Sequence, residues 1–257
     1  MTLFSRKLKI FSDVTVTILI WVYFILGFLF LFAPRYGWAW LRAGDREAAF
    51  QRLNQRFFSS FFRVMLRITP ELDLRIQGDL STIRSSIVIS NHLSYLDPLL
   101  LVSLFEKQET IVKKTFFKVP IFSYLLRESG FIPATNGGDD SALMIRNCEN
   151  IKAYLASGGN VFIFPEGTRS RTGGLGPFNK GAFSIARYCR APIECLLIRR
   201  TNRLFLPGRF LFNTCVPNTI EVERIGSFSP DYRDPEFRLT ALIREIHDLY
   251  EERLKEN

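Results

Sequence analysis

The hydrophobic pattern of the chain changes character near residue 70. Residues Val14–Ala33 are uncharged and mostly apolar over about 20 positions, close to the length that crosses a hydrocarbon core of roughly 30 Å. A cleaved signal peptide is disfavoured, because the run is long and leads into Pro34 and Arg35 rather than a small-residue cleavage site. Between Glu47 and Ile68, apolar residues recur at helical spacing, with arginines elsewhere on the helix. We predict an N-terminal membrane-associated helical hairpin over residues 1–70 that dips into one leaflet.

Two alternatives to this hairpin stay open at the level of sequence. The amphipathic helix over Glu47–Ile68 suits packing against the rest of the protein as well as it suits a membrane interface, since both environments select the same periodicity. Basic residues flank both ends of the apolar run, so the distribution of positive charge gives no clean orientation. Two full crossings of the bilayer are therefore also compatible with the pattern.

Beyond Pro70, short β-like runs alternate with helical stretches. The alternation predicts an α/β fold, a mixed sheet flanked by helices, in one domain over residues 71–257. The predicted strands are 87–90, 110–112, 131–133, 160–164, 193–199 and 210–216, and the predicted helices are 98–105, 118–127, 141–157, 180–189 and 236–255.

Composition narrows the class of partner. The 34 Lys and Arg outnumber the 25 Asp and Glu, giving a net charge of +9, which favours nucleic acid or an anionic membrane surface. The 25 Phe residues and 47% hydrophobic content favour the membrane, so we expect membrane lipids and no nucleic acid as partners. The four cysteines form no Cys-x-x-Cys pair and suggest neither a zinc site nor a disulfide framework, as in a domain facing the cytoplasm.

A first polar motif, residues 90–98, lies between a predicted strand and a predicted helix, where α/β proteins place reactive groups. It contains His92, whereas His247, the other of two histidines, falls in an acidic C-terminal stretch. A neutral imidazole is a base near pH 7, and a carboxylate such as Asp97 can hold its tautomer if a turn brings the two together. Alternatively, Asp97 caps the helix that starts at Pro98.

A second polar motif, residues 164–171, follows a strongly apolar strand. Gly167 permits a tight turn, and the planar guanidinium of Arg169 matches phosphate oxygens, with Thr168 and Ser170 as further donors. An ordinary solvated loop is the alternative. Glycines continue towards Lys180, but without the Gly-Lys-Ser/Thr ending of a P-loop, which argues against nucleotide hydrolysis.

A third segment, residues 111–120, pairs Lys113 and Lys114 with apolar neighbours. Such a segment suits contact with a phosphate headgroup and an acyl chain together. A solvated helix start followed by a proline turn explains the same pattern.

Taken together and in this order, the three segments resemble the lysophosphatidate acyltransferase family. Its Asn-His-x-Ser-x-x-Asp block is matched by Asn91, His92, Ser94 and Asp97, and its Phe-Pro-Glu-Gly-Thr-Arg-Ser block by residues 164–170. The resemblance covers roughly residues 72–216, and the N-terminal apolar segment is similar to the membrane anchors of bacterial members.

The resemblance implies roles for these residues. His92 would deprotonate the acceptor hydroxyl, Asp97 would orient His92, and the oxygen would attack the acyl thioester of acyl-CoA or acyl carrier protein directly. No metal or tightly held cofactor is implied. The domain would face the cytoplasm at the inner or cytoplasmic membrane. The implied substrate-binding residues are Asn91, Ser94, Lys113, Lys114, Glu166, Gly167, Thr168 and Arg169, with Arg169 and one of the two lysines on the phosphate.

Two departures from the family pattern concern the acceptor. The block that usually runs from Gly to Arg six positions later leads here from Gly130 to Asn136, and a Val-Pro-Ile-x-Pro-Val-like strand carries Glu194 and Cys195. Both fall where acceptor recognition is expected. They leave open another acceptor, such as glycerol 3-phosphate, another lysolipid or a specialised lipid. A non-catalytic membrane lipid-binding protein is a further alternative, and the oligomeric state is undetermined by the sequence.

Overall fold

The computed structural model describes residues 3–134, 141–206 and 208–256. Across these ranges, one sheet of seven strands in the order β1-β7-β6-β2-β5-β3-β4 forms the frame. Neighbouring strands are parallel except for the antiparallel pair β6–β7, so the predicted mixed sheet is confirmed. The strands are β1 Leu72–Gln77, β2 Ile87–Ser90, β3 Gln108–Val112, β4 Ile132–Pro133, β5 Asn160–Ile163, β6 Ile193–Arg199 and β7 Asn218–Phe228.

Helices flank the sheet, as the predicted fold class requires. A π-helical stretch, Tyr23–Phe32, joins α1 to α2, and a 3-10 helix, Lys114–Lys118, follows β3. The α-helices are α1 Leu3–Val22, α2 Ala33–Arg42, α3 Arg46–Ile68, α4 Leu96–Leu104, α5 Phe122–Glu128, α6 Ser141–Ala156, α7 Lys180–Cys189, α8 Thr201–Leu204 and α9 Leu239–Lys255.

The prediction of a strand over 210–216 is wrong. Three backbone N–H groups of this segment bond outside the sheet. Phe212 N donates to Thr17 Oγ1 of α1 at 2.9 Å and Thr214 N to Asp13 Oδ1 of α1 at 2.8 Å, while Asn213 N donates to Leu204 O at 2.8 Å. The apolar side chain of Phe212 is buried in the core beside α1. The pattern that predicted a strand therefore reflects docking of the segment on the first helix.

The N-terminal helices form an antiparallel pair. Lys7–Arg42 is a continuous helix long and apolar enough to cross a membrane by length and composition. It runs along α3, with Tyr23 donating to Ser60 Oγ at 2.7 Å and Tyr36 to Asn54 Oδ1 at 2.6 Å. These contacts hold the two helices side by side, as in the helical hairpin that the sequence predicted.

The apolar face of α3 packs against the rest of the protein, which was the alternative to a membrane-facing helix. Phe61, Phe62 and Met65 share one core with Val88 of β2 and Leu196 of β6. The division at residues 70 and 71 stays a prediction, since this core contains residues from both sides of it.

Candidate active site

Polar residues collect at one edge of the sheet. Because β2, β3, β5 and β6 are mutually parallel through β2 and β5, their carboxyl ends meet at the same edge. The loops that leave these ends carry His92 after β2, Lys113 after β3, Glu166 after β5 and Thr201 after β6. All three motifs of the sequence therefore lie along this edge.

The loop after β2 brings His92 and Asp97 together. The turn that precedes α4 places Asp97 in the first helical turn, and its Oδ2 lies 2.9 Å from His92 Nδ1. The same oxygen accepts the backbone N–H groups of Leu93 and Ser94, each at 2.6 Å. Asp97 thus holds the imidazole and the backbone of the loop that carries it. It does not cap the helix, because the helix starts at Leu96 and its N-cap residue is Tyr95, with no side-chain cap, so the capping alternative is wrong.

The other carboxylate oxygen of Asp97 is held by a residue that the sequence did not single out. Thr201, at the start of α8, donates its hydroxyl to Asp97 Oδ1 at 2.5 Å, and both residues are fully buried. Asp97 therefore accepts hydrogen bonds on both oxygens, which is the behaviour of a carboxylate acceptor. His92 Nδ1 is then the donor, and Nε2 is left with a free lone pair.

The imidazole ring is fixed by packing as well as by this bond. Phe164, at the end of the apolar strand β5, stacks on it with ring centroids 4.3 Å apart and an interplanar angle of 25°. The His92 side chain keeps 15% of its surface exposed. The ring is thus immobilised with one edge reachable from outside the protein.

Glu166 joins the two main motifs into one unit. Its carboxylate accepts the backbone N–H of His92 on one oxygen and that of Gly176 on the other, both at 2.9 Å. Ser170 N donates back to His92 O at 2.8 Å. Gly167, at φ +68°, makes the turn between these contacts, a conformation that disfavours side chains.

Asn91 and Ser94, predicted among the substrate-binding residues, lie beneath the loop. The Asn91 side chain donates to Ile198 O and accepts from Ile198 N, each at 2.8 Å, which ties the end of β2 to β6. Ser94 is fully buried, and its hydroxyl accepts from Leu96 N at 3.3 Å. In this structure both side chains hold the loop that carries His92 in place.

The predicted cations lie at the surface of the same edge. The Arg169 guanidinium sits over the ring of Tyr95, 3.4 Å from its centroid, and Tyr95 belongs to the same loop as His92. Thr168 is exposed next to Arg169 in the chain. Lys113 and Lys114 are exposed where the 3-10 helix begins. β5 lies between their strand and β2.

The departure from the family pattern at Glu194 does not lie where acceptor recognition was expected. Glu194 pairs in register with Val88, towards the start of β2, and accepts Arg224 at 2.8 and 2.9 Å and the Ser227 hydroxyl at 2.8 Å. It joins β6 to β7 away from His92, because the active loops leave the opposite end of β6. Its expected place in acceptor recognition is therefore wrong, and Asn136 lies outside the described residues.

The sequence profile of the family described as Acyltransferase matches residues 73–199, a span that contains both main motifs. Residues 73–199 therefore form a domain of this acyltransferase family. The predicted resemblance to lysophosphatidate acyltransferases is confirmed by curated relatives. A chloroplastic 1-acyl-sn-glycerol-3-phosphate acyltransferase of Brassica napus is 32% identical over 166 residues, 62% of this chain and 47% of the relative. One from Saccharomyces cerevisiae is 28% identical over 212 residues, 76% of this chain and 68% of the relative.

The family fold also extends through the N-terminal helices. The crystal structure of the 1-acyl-sn-glycerophosphate acyltransferase of Thermotoga maritima superposes with a TM-score of 0.70 at 22% identity, covering 96% of this chain and 97% of that one. The chain spans about half the length of the Brassica relative it matches.

Proposed function

We propose that this acyltransferase family member transfers a fatty acyl group from a thioester to the free hydroxyl of lysophosphatidate, giving phosphatidate. The observation that carries the proposal is the His92–Asp97 pair, 2.9 Å apart, at an accessible sheet edge beside Arg169. The curated relatives support this acceptor, because they are 1-acyl-sn-glycerol-3-phosphate acyltransferases.

The geometry suits direct transfer without an acyl-enzyme. The acceptor hydroxyl approaches His92 Nε2, which takes its proton as the oxygen attacks the thioester carbonyl carbon. Asp97 stabilises the imidazolium that forms. When the tetrahedral intermediate collapses, the C–S bond breaks and the imidazolium returns the proton to the leaving thiolate. The acyl donor is acyl-CoA or acyl carrier protein, and no metal or tightly held cofactor enters these steps.

The remaining residues divide into binding and positioning groups. Arg169, with Thr168 beside it, offers a bidentate partner for the acceptor phosphate, and Lys113 or Lys114 adds a second charge from the neighbouring strand end. Asn91, Ser94, Glu166 and Gly167 act by fixing the two motif loops against each other.

The location of the site is part of the proposal. The continuous helix Lys7–Arg42 anchors the protein in the inner or cytoplasmic membrane, and the catalytic domain faces the cytoplasm. A lipid acceptor then reaches His92 without leaving the bilayer surface.

The test is an acceptor panel with the full-length protein in detergent. Lysophosphatidate, glycerol 3-phosphate and a zwitterionic lysolipid are each offered with acyl-CoA and with acyl carrier protein, and lipid products are identified by mass spectrometry. We expect phosphatidate from lysophosphatidate. If only another acceptor is acylated, lysophosphatidate is not the substrate, although the acyl-transfer chemistry stands. Asn136 in place of the family's Arg is the reason to include these other acceptors. Turnover of none would support a non-catalytic lipid-binding protein.

A further inference from the structure

An exposed apolar surface lies beside the active edge, on the segment from Lys113 to Tyr124 that joins β3 to α5. We call residues 113–124 the docking segment. Large apolar side chains of soluble proteins are seldom exposed in clusters without a partner. Here they follow one another within nine positions of the chain, and they are Phe116, Val119, Ile121, Phe122 and Tyr124.

The tip of the docking segment is held in a strained conformation. Ile121 has φ +65° and ψ −53°, which a β-branched residue adopts only when its surroundings impose it. Hydrogen bonds on both sides impose it: Ser123 N donates to Val119 O at 2.8 Å and Leu125 N to Ile121 O at 3.1 Å. The consequence is that the Ile121 side chain, 74% exposed, is held out of the protein.

The charge of the docking segment is of one sign. Lys113, Lys114 and Lys118 belong to it, and no acidic residue occurs between Thr110 and Arg127. Apolar side chains that enter acyl chains, together with lysines that meet anionic headgroups, are the combination that binds a bilayer surface. A purely apolar partner would offer no charge complementary to Lys113 and Lys118, which are both exposed.

The docking segment continues the exposed apolar surface of the N-terminal helix. The Tyr124 side chain lies beside that of Trp40 in α2, and its ring meets Phe50 of α3 edge-on, with ring centroids 6.4 Å apart. Trp38, Trp40 and Leu41 are themselves exposed at the end of the helix that is long enough to cross a membrane. The two surfaces therefore adjoin through Trp40 and Tyr124.

From these observations we infer that the docking segment is a second contact with the membrane, made on the surface of an anionic bilayer. Because it leaves the same sheet edge as the His92 loop, this contact lays that edge on the headgroups. The inference rests on the proposed function only in taking the bilayer as the place where the acceptor is found.

A depth measurement tests the contact without relying on turnover. The full-length Ile121→Cys variant is labelled with an environment-sensitive fluorophore and reconstituted in phosphatidylcholine–phosphatidylglycerol vesicles containing doxyl-labelled lipid. The matched control is Ile76→Cys, since Ile76 is also exposed but lies on β1, the outermost strand, five strands away from β3 in the sheet. The labelled parent protein gives the background from native cysteines.

We expect several-fold stronger quenching at position 121 than at position 76. Equal quenching at both positions would overturn the inference. A label at 121 that responds to added acyl carrier protein but not to vesicles would also overturn it, because the segment would then dock an acidic protein.

An activity measurement separates this contact from the chemistry. Ile121→Glu and Lys118→Glu should each lower turnover of vesicle-embedded lysophosphatidate about tenfold and leave turnover of a monomeric short-chain acceptor unchanged. The controls Ile76→Glu and Lys152→Glu should change neither rate. Equal losses with both acceptors would contradict a docking role. Absence of turnover in the parent protein would defeat the proposed function while the quenching result still decides the contact.

Discussion

The loop after β2 and the docking segment after β3 leave the same edge of one sheet, yet they are built in opposite ways. In the β2 loop, polar side chains are buried and bonded to protein: Asp97 accepts hydrogen bonds from His92, Leu93, Ser94 and Thr201. In the docking segment, apolar and basic side chains face outwards around Ile121.

The difference separates two tasks at the edge. A base must be held in one orientation, so the polar groups around it are rigid and hydrogen-bonded to protein. A surface that meets a lipid headgroup must stay open and charged. Substitutions in the β2 loop should therefore change kcat, whereas substitutions after β3 should change KM or membrane contact.

The largest effect is expected from His92→Ala. Loss of the general base should lower kcat by about 100-fold or more. The melting temperature should change little, because the ring is partly exposed and Asp97 keeps its three other donors. The rate of thiol release from the thioester measures the effect, and turnover within a few-fold of the parent would remove His92 from the chemistry.

Thr201→Val should have the next largest effect. It deletes the hydrogen bond to Asp97 Oδ1, and a bond to a charged group contributes about 1.5–3 kcal/mol, so we expect kcat to fall about tenfold or more with little change in KM. Thr201→Ser keeps the hydroxyl and should restore most of kcat. If Thr201 acts only as a structural residue, the kcat of Thr201→Ser should be no higher than that of Thr201→Val, because the serine variant loses a buried methyl group that valine keeps.

A smaller effect is expected at Lys113. A lysine near an anionic lipid surface is worth about 1 kcal/mol, so Lys113→Ala should raise KM for lysophosphatidate about fivefold at low salt and leave kcat unchanged. Lys152→Ala, an exposed lysine on α6, is the control. A fall in kcat without a change in KM would break the division of tasks between the two segments.

The smallest effect concerns stability on β3. Burial, followed by the nearby Glu47 carboxyl, raises the pKa of Glu109 to about 9. Folding then favours the protonated form, so the stability from this group is fully present below about pH 4.5 and is lost as pH rises towards 9.

Glu109→Gln, which resembles the protonated form, should therefore raise the melting temperature increasingly with pH across that window. The gain is about 2–4 °C for each kcal/mol regained. Calorimetry at several pH values measures it. The exposed Glu106→Gln should show no such trend, and a gain for Glu109→Gln that is independent of pH would contradict the raised pKa.

Much of the fold was predictable because its central elements are local in sequence. The strands β2 and β6 and the helix α7 have the predicted bounds, since each is a continuous apolar or amphipathic run. The edge strand β1 and its neighbour β7 were missed. Charged residues of β7 are matched by residues that are distant in sequence, as Glu223 is by Arg199 of β6, and no local pattern shows that.

The site was predictable to the same degree. His92, Asp97, Glu166 and Arg169 stand in two short motifs, so their nearness required only that parallel strands share an edge. Thr201 contacts Asp97 across 104 positions of the chain and belongs to no motif. The one local sign beside it is Arg200 at φ +66°, a backbone feature that appears only in the folded structure.

The coupling between His92 and Asp97 is the central claim, and a double-mutant cycle measures it most directly. His92→Ala, Asp97→Asn and the double variant are compared by kcat/KM for lysophosphatidate. If the carboxylate acts through the imidazole, the double variant should be no slower than His92→Ala within about threefold, because groups that act as a unit are strongly non-additive. Losses that multiply would show that the two residues act independently, and would contradict the account.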